Sequence, residues 1–355
     1  MKIAVVGGGI FGCTAAIYAA REQHEVHLYE RSESILSGAS RGNQYRLHQG
    51  YHYPRSPDTV RECIDGNVSF RDEYGKAVDD SGRHLYAIAE NKSKTTPEEY
   101  LRFCEGMDLP YTVVSGGEFL SPEMVDLVVE VPEGRIDPSM LRHLVDEKMQ
   151  EAGVQVHIRT AFTPVMGWNY DKVIVAAYGN TNAAISGLPG YDQCRLDMFQ
   201  FEVVEKPVVR MPPSFEGVGV VVMDGEFCCV DPIAGTGLHA LGHVNIGVWN
   251  RHVGLAAEVP YHLTPYMDKG IVQKPSHTRI TEFIEGGSVY IPPLAEAEYY
   301  GSMFTVRTVL PNKDATDERP TLVETLGKDQ RYIRIFSGKI GSACQSAQDV
   351  VDNHL

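Results

Sequence analysis

The sequence predicts an α/β chain, α+β overall, in which a parallel, helix-flanked sheet is split by a β-rich antiparallel unit. Three observations predict it. A strand, glycine turn, helix and second strand open the chain within thirty residues. Short alternating β-like runs fill residues 190–310, and a strand, glycine turn and helix close the chain over 332–353.

The opening run is the most informative. Lys2–Val6 is apolar and leads into Gly7-Gly8-Gly9-Ile10-Phe11-Gly12, then into helix-like Cys13–Ala20; Val26–Tyr29 follows and ends in Glu30. These are the parts of a Rossmann-like dinucleotide-binding βαβ unit. Gly7 permits the tight turn, Gly9 leaves space for a pyrophosphate, and Gly12 lets the helix lie close on the strand. The N-terminus of the helix that follows offers free N–H groups and a positive dipole end to the phosphates. Glu30 is placed to accept hydrogen bonds from ribose hydroxyls and disfavours a 2′-phosphate, with Arg31 beside it. The alternative is a glycine-rich turn in another kind of α/β protein.

Further along, Ser56-Pro57-Asp58 opens a helix over 57–75, His84–Ile88 reads as a strand, and Thr95-Thr96-Pro97-Glu98-Glu99 starts a helix to Gly106. Val125–Val131 is strand-like. Asp137 is a good N-cap and Pro138 a good first residue for a helix to Ala152-Gly153. Val154–Ile158 is then a strand, and Asp171–Ala177 is a buried parallel strand that ends at Tyr178-Gly179-Asn180. The β-like runs that follow are Phe201–Val204, Val218–Met223, Phe227–Val230, Val244–Val248 and Ser288–Ile291, a pattern that predicts a largely antiparallel sheet. Asp231–Gly237 reads as a hairpin-like loop; it lacks the lysine and Ser/Thr of a phosphate loop. Tyr332–Phe336 is the last strand, Ser337–Gly341 a turn and Ser342–Asn353 the last helix.

The chain's 355 residues suffice for two domains. Its net charge of −15 disfavours nucleic acid and anionic membrane as partners. It leaves room for an anionic small molecule in a local basic pocket. Seven cysteines (13, 63, 104, 194, 228, 229, 344) form no CxxC pair and read as reduced thiols of a cytoplasmic protein. Cys228 and Cys229 are adjacent in a strand and face opposite sides. No signal peptide, membrane span or metal-ligand spacing is recognisable.

Taken together, five motifs make the chain resemble the D-amino-acid-oxidase-type superfamily of FAD-dependent oxidoreductases over nearly its whole length. They are Gly7-x-Gly9-x-x-Gly12 with Glu30; the polar loop Ser37-Gly38-Ala39-Ser40-Arg41-Gly42-Asn43-Gln44; Glu133-Gly134-Arg135-Ile136-Asp137-Pro138; Asp171–Gly179; and the Gly338–Gly341 turn. Arg46–Tyr53 resembles the segment after the flavin loop in glycerol-3-phosphate and L-2-hydroxyglutarate dehydrogenases, keeping His48 and Gly50 but carrying Gln49 in place of a glycine. Ser337-Gly338-Lys339 replaces that family's final Gly-x-Gly. The resemblance implies non-covalent FAD held by Gly7, Gly9, Ile10, Phe11, Gly12, Glu30, Arg31, Ser40, Arg41, Asn43, Gln44, Ala177, Gly179, Gly338, Lys339 and Ile340. It implies a discontinuous FAD-binding domain of residues 1–80, 133–185 and 325–355, and a substrate domain of 81–132 and 186–324.

The implied reaction removes a hydride from a C–H bond next to a hydroxyl or amine of a small polar substrate. His48 is the candidate general base, because imidazole titrates near neutrality; the alternative is a histidine that only hydrogen-bonds the flavin or backbone. His52 and Tyr53 are near enough in sequence to share its pocket. Arg307, Arg319 and Arg46 are candidate forks for a substrate carboxylate or phosphate, against the alternative of ordinary ion pairs. Arg319 lies in the stretch Thr316–Pro320, which resembles the family's late approach to the flavin. Lys339, in the terminal glycine turn, is a candidate to face the electron-rich edge of the flavin, against the alternative of a solvent-facing turn lysine. The segment around His48 favours alcohol oxidation. Amine or amino-acid oxidation is the rival on the same fold, and a non-redox flavin-fold binding or regulatory protein is the rival from another class.

Overall fold

A computed structural model describes residues 1–191, 196–225, 227–313, 318–327 and 329–355. Cys194, Thr316 and Asp317 lie outside the described residues.

The chain begins with strand β1 (Lys2–Val6), helix α1 (Ile10–Arg21) and strand β2 (Glu25–Tyr29). β1 is apolar on both faces because both are covered; Ile3, Ala4 and Val5 are fully buried. α1 approaches this strand through small residues. A Cβ on Gly12 would stand 1.9 Å from the Gly7 oxygen, and Gly7 itself has φ +107°, so both positions need glycine.

The first excursion contains β3 (Arg46–Leu47), α2 (Pro57–Tyr74), β4 (Val78–Asp79), β5 (Arg83–Ala89), α3 (Pro97–Gly106), β6 (Thr112–Val113) and β7 (Val125–Glu130). Its helices start where local signals place them. Pro57 is the first residue of α2, and Thr96 and Glu99 form a reciprocal capping box on α3. β8 (Gly134–Ile136) leads to α4 (Pro138–Glu151), capped by Asp137, which accepts from Ser139 N at 2.8 Å and Met140 N at 2.9 Å. β9 (Gln155–His157), β10 (Lys172–Val175) and the short α5 (Thr181–Ile185) follow.

The second excursion holds β11 (Phe199–Arg210), β12 (Val218–Met223), β13 (Cys228–Ile233), β14 (Leu238–His243), β15 (Val248–Gly254), α6 (Ile280–Ser288) and β16 (Glu298–Val309). The chain closes with β17 (Leu322–Leu326), β18 (Tyr332–Phe336) and α7 (Ala343–Asp349), which widens into a π-helical turn through His354.

Three sheets result. The first has the order β17-β18-β10-β1-β2-β9 and is parallel except for β17 against β18. The second has nine strands in the order β15-β11-β14-β13-β12-β5-β7-β6, with β16 also paired to β11. A small third sheet, β3-β8-β4, lies beside them. The mixed α/β fold class expected from sequence is the one observed.

Several local expectations are corrected. Val244–Val248 is not a strand: residues 244–247 form the turn between β14 and β15, because His243 Nδ1 accepts from Asn245 N and Ile246 N, both at 3.3 Å. Ser288–Ile291 is the end of α6 and the turn beyond it; Phe283 and Gly287, four residues apart, are the helix's buried face. Asp231–Ile233 belongs to β13, so the hairpin loop is only residues 234–237. The large sheet is largely antiparallel, as expected, with one exception: β12 runs parallel to β5 from Val218↔Arg83 to Met223↔Ile88. As expected, Cys228 and Cys229 point to opposite faces and join different apolar clusters. The six described cysteines are buried and unpaired. Among the described residues no helix is long and apolar enough to cross a membrane.

Candidate active site

The parallel strands end along one edge, where ligands of open α/β sheets bind. A cavity of about 1020 Å³ lies there, beyond the ends of β1, β2, β10 and β18. Its opposite wall is the nine-stranded sheet, through β11, β12, β13, β15 and β16. The volume is at the upper end of the roughly 300–1,000 Å³ usual for ligand pockets, enough for a large cofactor with a small molecule beside it.

The glycine turn forms one end. Gly7, Gly9, Ile10 and Phe11 line the cavity, whereas Gly12 does not, because it faces β1. A Cβ on Gly9 would meet only Ser40 Oγ, at 3.3 Å, so its open side faces the cavity. Ser40 Oγ accepts from Ile10 N at 3.0 Å and supplies α1 with the cap that Gly9 cannot. Glu30 accepts from Gly8 N and Ser32 N, each at 2.7 Å, so backbone amides on both sides fix its carboxylate at the tip of β2. Arg31 also lines the cavity and donates to Asn180 Oδ1 at 3.3 Å. These features suit the adenosine and pyrophosphate parts of FAD: free cavity over a helix N-terminus, and a fixed carboxylate beyond it.

The polar loop runs along the cavity. Asn43 holds it together, donating to Ser40 O at 2.8 Å and accepting from Tyr45 N at 2.6 Å. Gln44 reaches Cys229 Sγ at 3.7 Å. Arg41 points away, exposed, with its guanidinium against Gly270, and does not line the cavity. Ala177 and Gly179 follow β10 on the wall. Gly338, Lys339 and Ile340 follow β18; a Cβ on Gly338 would lie 2.2 Å from Arg319 O, so this glycine lets the Arg319–Pro320 segment meet the terminal turn.

The candidate chemical groups all line the same cavity: His48, His52, Tyr53, Arg307, Arg319 and Arg46. His48 and His52 have ring centroids 6.2 Å apart, and Tyr53 lies edge-on to both. Lys339 Nζ sits 4.1 Å from the centre of the Tyr53 ring. Burial lowers the His48 pKa to about 4 against the opposing pull of Glu133, so the imidazole is neutral at physiological pH. Burial likewise pushes His52 well below its ordinary value. Burial and then the Arg46 charge bring Lys339 down to about 7.

The arginines differ in freedom. Arg46 is buried and tied down, with Nε 2.9 Å from Asp231 Oδ1 and Nη1 3.1 Å from Tyr86 OH. Arg307 pairs with Glu202, which also takes Arg251 Nε at 2.8 Å. Glu202, Arg251 and Arg307 stand directly opposite one another on β11, β15 and β16, so one carboxylate serves two guanidinium groups. Arg319 donates to Glu318 O at 3.1 Å.

Sequence reasoning missed Glu133 as a site residue, along with Glu202, Lys206, Cys229 and Asp231. Glu133 is buried against His48, and the other four line the cavity or lie beneath it. Burial lowers Lys206 to about 8, although Cys229 and Asp231 oppose the shift. A signal was present: Glu202, Glu205 and Lys206 interrupt an otherwise apolar strand, and charges in a buried strand need a reason.

Residues 2–313 match the DAO family, FAD dependent oxidoreductase. The chain is 26% identical over 393 residues to the FAD-dependent monooxygenase kojA of Aspergillus flavus, covering 99% of this chain and 85% of that protein. It is 26% identical over 249 residues to the FAD-dependent monooxygenase FPY4 of Fusarium mangiferae, covering 68% and 64%. Among solved structures, glycine oxidase from Geobacillus kaustophilus superposes with TM-score 0.72 at 15% identity, covering 99% of this chain and 94% of that one. L-alpha-glycerophosphate oxidase from Mycoplasma pneumoniae, solved with FAD bound, gives TM-score 0.72 at 17% identity, covering 99% and 93%. These structures share the fold. With nearly nine-tenths of its length matched, the chain belongs to the DAO family of FAD-dependent oxidoreductases and is an enzyme that uses FAD.

Proposed function

We propose that the enzyme removes a hydride from a carbon bearing a hydroxyl group on a small polar substrate, with His48 as general base. The observation that carries this is a neutral imidazole on the cavity wall, its Nε2 unbonded and accessible while Nδ1 is sealed in protein. Bound FAD supplies the two-electron acceptor. The chain does the rest. His48 Nε2 takes the hydroxyl proton, the O–H electron pair becomes the second C–O bond, and the hydride leaves from carbon. Gly9, Ser40 and Glu30 hold the nucleotide end non-covalently, and Lys339 and Ile340 border the flavin end. Residues 1–80, 133–185 and 325–355 serve FAD and 81–132 and 186–324 serve substrate; the two large sheets support this division, apart from β17, which belongs to the first sheet and straddles the 324/325 boundary. Arg307 and Arg319 orient an anionic group on the substrate; the support is that Glu202 neutralises only one of its two arginines. The free, buried thiols fit a cytoplasmic setting.

A second reading, oxygen insertion, is favoured by the similarity to kojA and FPY4, both FAD-dependent monooxygenases. Anaerobic mixing with candidate hydroxy acids, sugars and amino acids separates the two. Under the proposal a hydroxylated substrate alone bleaches the yellow holoenzyme. A substrate that is hydroxylated only after an external reductant is supplied, with no bleaching beforehand, replaces the proposal with oxygen insertion. Bleaching by amino acids alone replaces it with amine oxidation.

A further inference from the structure

Glu133 is a buried acid beside the proposed base. The Glu133 side chain is fully shielded from solvent. Its Oε2 accepts from Tyr86 OH at 2.6 Å and stands 3.9 Å from Arg46 Nη1. Its Oε1 accepts from Gln49 N at 3.1 Å and lies 3.5 Å from His48 Nδ1. His84 Nε2 is 3.7 Å from Oε2. Burial alone would raise the pKa of this carboxyl; the close contact with His48 and the nearby His84 and Arg46 outweigh burial and hold it far below the usual range. The group is therefore an anion at neutral pH.

An ionised carboxylate has no proton to give. At 3.5 Å the contact is not a closed hydrogen bond, but the carboxylate attracts an N–H at Nδ1 and repels a lone pair there; the favoured tautomer leaves the lone pair on Nε2. Nε2 is the ring nitrogen left accessible, while Nδ1 is enclosed. Of the charged groups that act on His48, Arg46 and Lys339 oppose its protonation and Glu133 favours it. We infer that Glu133 is a positioning residue for proton removal: it fixes His48 in the Nδ1–H tautomer, aims the Nε2 lone pair into the cavity, and steadies the imidazolium once the proton has arrived. This rests on His48 being the base. In the step, the substrate O–H bond breaks and an Nε2–H bond forms; the O–H electron pair stays on oxygen, and Glu133 remains ionised throughout. The 3.5 Å separation shortens when the ring becomes charged.

The test needs no substrate. Holoenzyme labelled with ¹⁵N in its imidazole rings is examined by NMR at neutral pH, with the His48 signals assigned by their loss in His48→Asn. We expect Nδ1 to resonate as a protonated nitrogen and Nε2 as a bare one. In Glu133→Gln, whose amide can donate or accept, both resonances should move towards their mean while FAD remains bound. Tyr86→Phe removes one of the acid's donors but leaves the anion, and should keep the wild-type pattern. A wild-type ring protonated on Nε2 overturns the inference, and needs no variant to do so. An unchanged pattern in Glu133→Gln overturns it as well. Failure of the base assignment shows separately, as an unaltered rate of flavin reduction by substrate in His48→Asn while the wild-type ring keeps its Nδ1–H pattern.

Discussion

At the residue scale, His48 is the group on which the chemistry turns. Replacing it with Asn should slow reduction of the bound flavin about a hundredfold or more, the usual contribution of a general base, without loss of FAD. Rapid mixing under anaerobic conditions measures this; retention of the wild-type rate would remove His48 from the mechanism. The sign of the pH effect follows from burial. The base must be neutral, and its pKa is near 4, so the reduction rate should stay level as pH falls from neutrality and drop only through about 4. An ordinary imidazole would lose half its activity near pH 6.5, roughly two units higher. His48 itself was legible in the sequence because it stands in a recognisable segment. Its partner was not, because Glu133 lies 85 positions away and meets it only through folding, as β8, just after Glu133, pairs with β3.

At the element scale, the glycine turn separates two kinds of damage. Gly12 is a packing residue and Gly9 a cavity residue. Gly12→Ala should destabilise the protein by about 1–3 kcal/mol or more, because its Cβ collides with backbone that cannot move aside. Gly9→Val should fold normally and lose its yellow colour, because the added methyl groups occupy the pyrophosphate position. Thermal melts of the FAD-free forms, beside flavin absorbance after reconstitution, distinguish the two; equal melts for Gly12→Ala and wild type would refute the packing assignment. The caps of α3 and α4 and the apolar runs of β1, β10 and β18 are local signals, and the sequence showed them. β16 pairs with β11 about a hundred residues earlier, so no local pattern announced it.

At the scale of the whole molecule, the buried histidines make the protein acid-sensitive. Burial depresses His48 to about 4, His84 to about 3 and His239 to about 4. In the unfolded chain each titrates near its ordinary value. Between about pH 6.5 and 4 the unfolded state therefore binds more protons, and stability falls as the solution is acidified. At full effect each histidine contributes about 1.4 kcal/mol per pH unit. Denaturation curves at pH 7, 5.5 and 4.5 should show uptake of roughly three protons on unfolding towards the acid end. Uptake near zero would mean these rings are solvated. Acid precipitation tests the cofactor linkage: all FAD should leave with the supernatant, and flavin retained in the pellet would show a covalent bond.

The parallel pairing of β5 with β12 also governs how a growing chain must fold. β5 emerges early from the ribosome and finds β7 quickly, but its other edge waits for residues 218–223. β10 likewise keeps one edge bare until residues 332–334 arrive. Neither large sheet can be finished from a contiguous half of the chain. Synthesis therefore outruns assembly, and an unpaired strand edge is exposed from the emergence of β5 until β18 arrives. A chain interrupted before its last twenty-odd residues would present the β10 edge to its neighbours, and aggregation would be its fate in place of a smaller folded product.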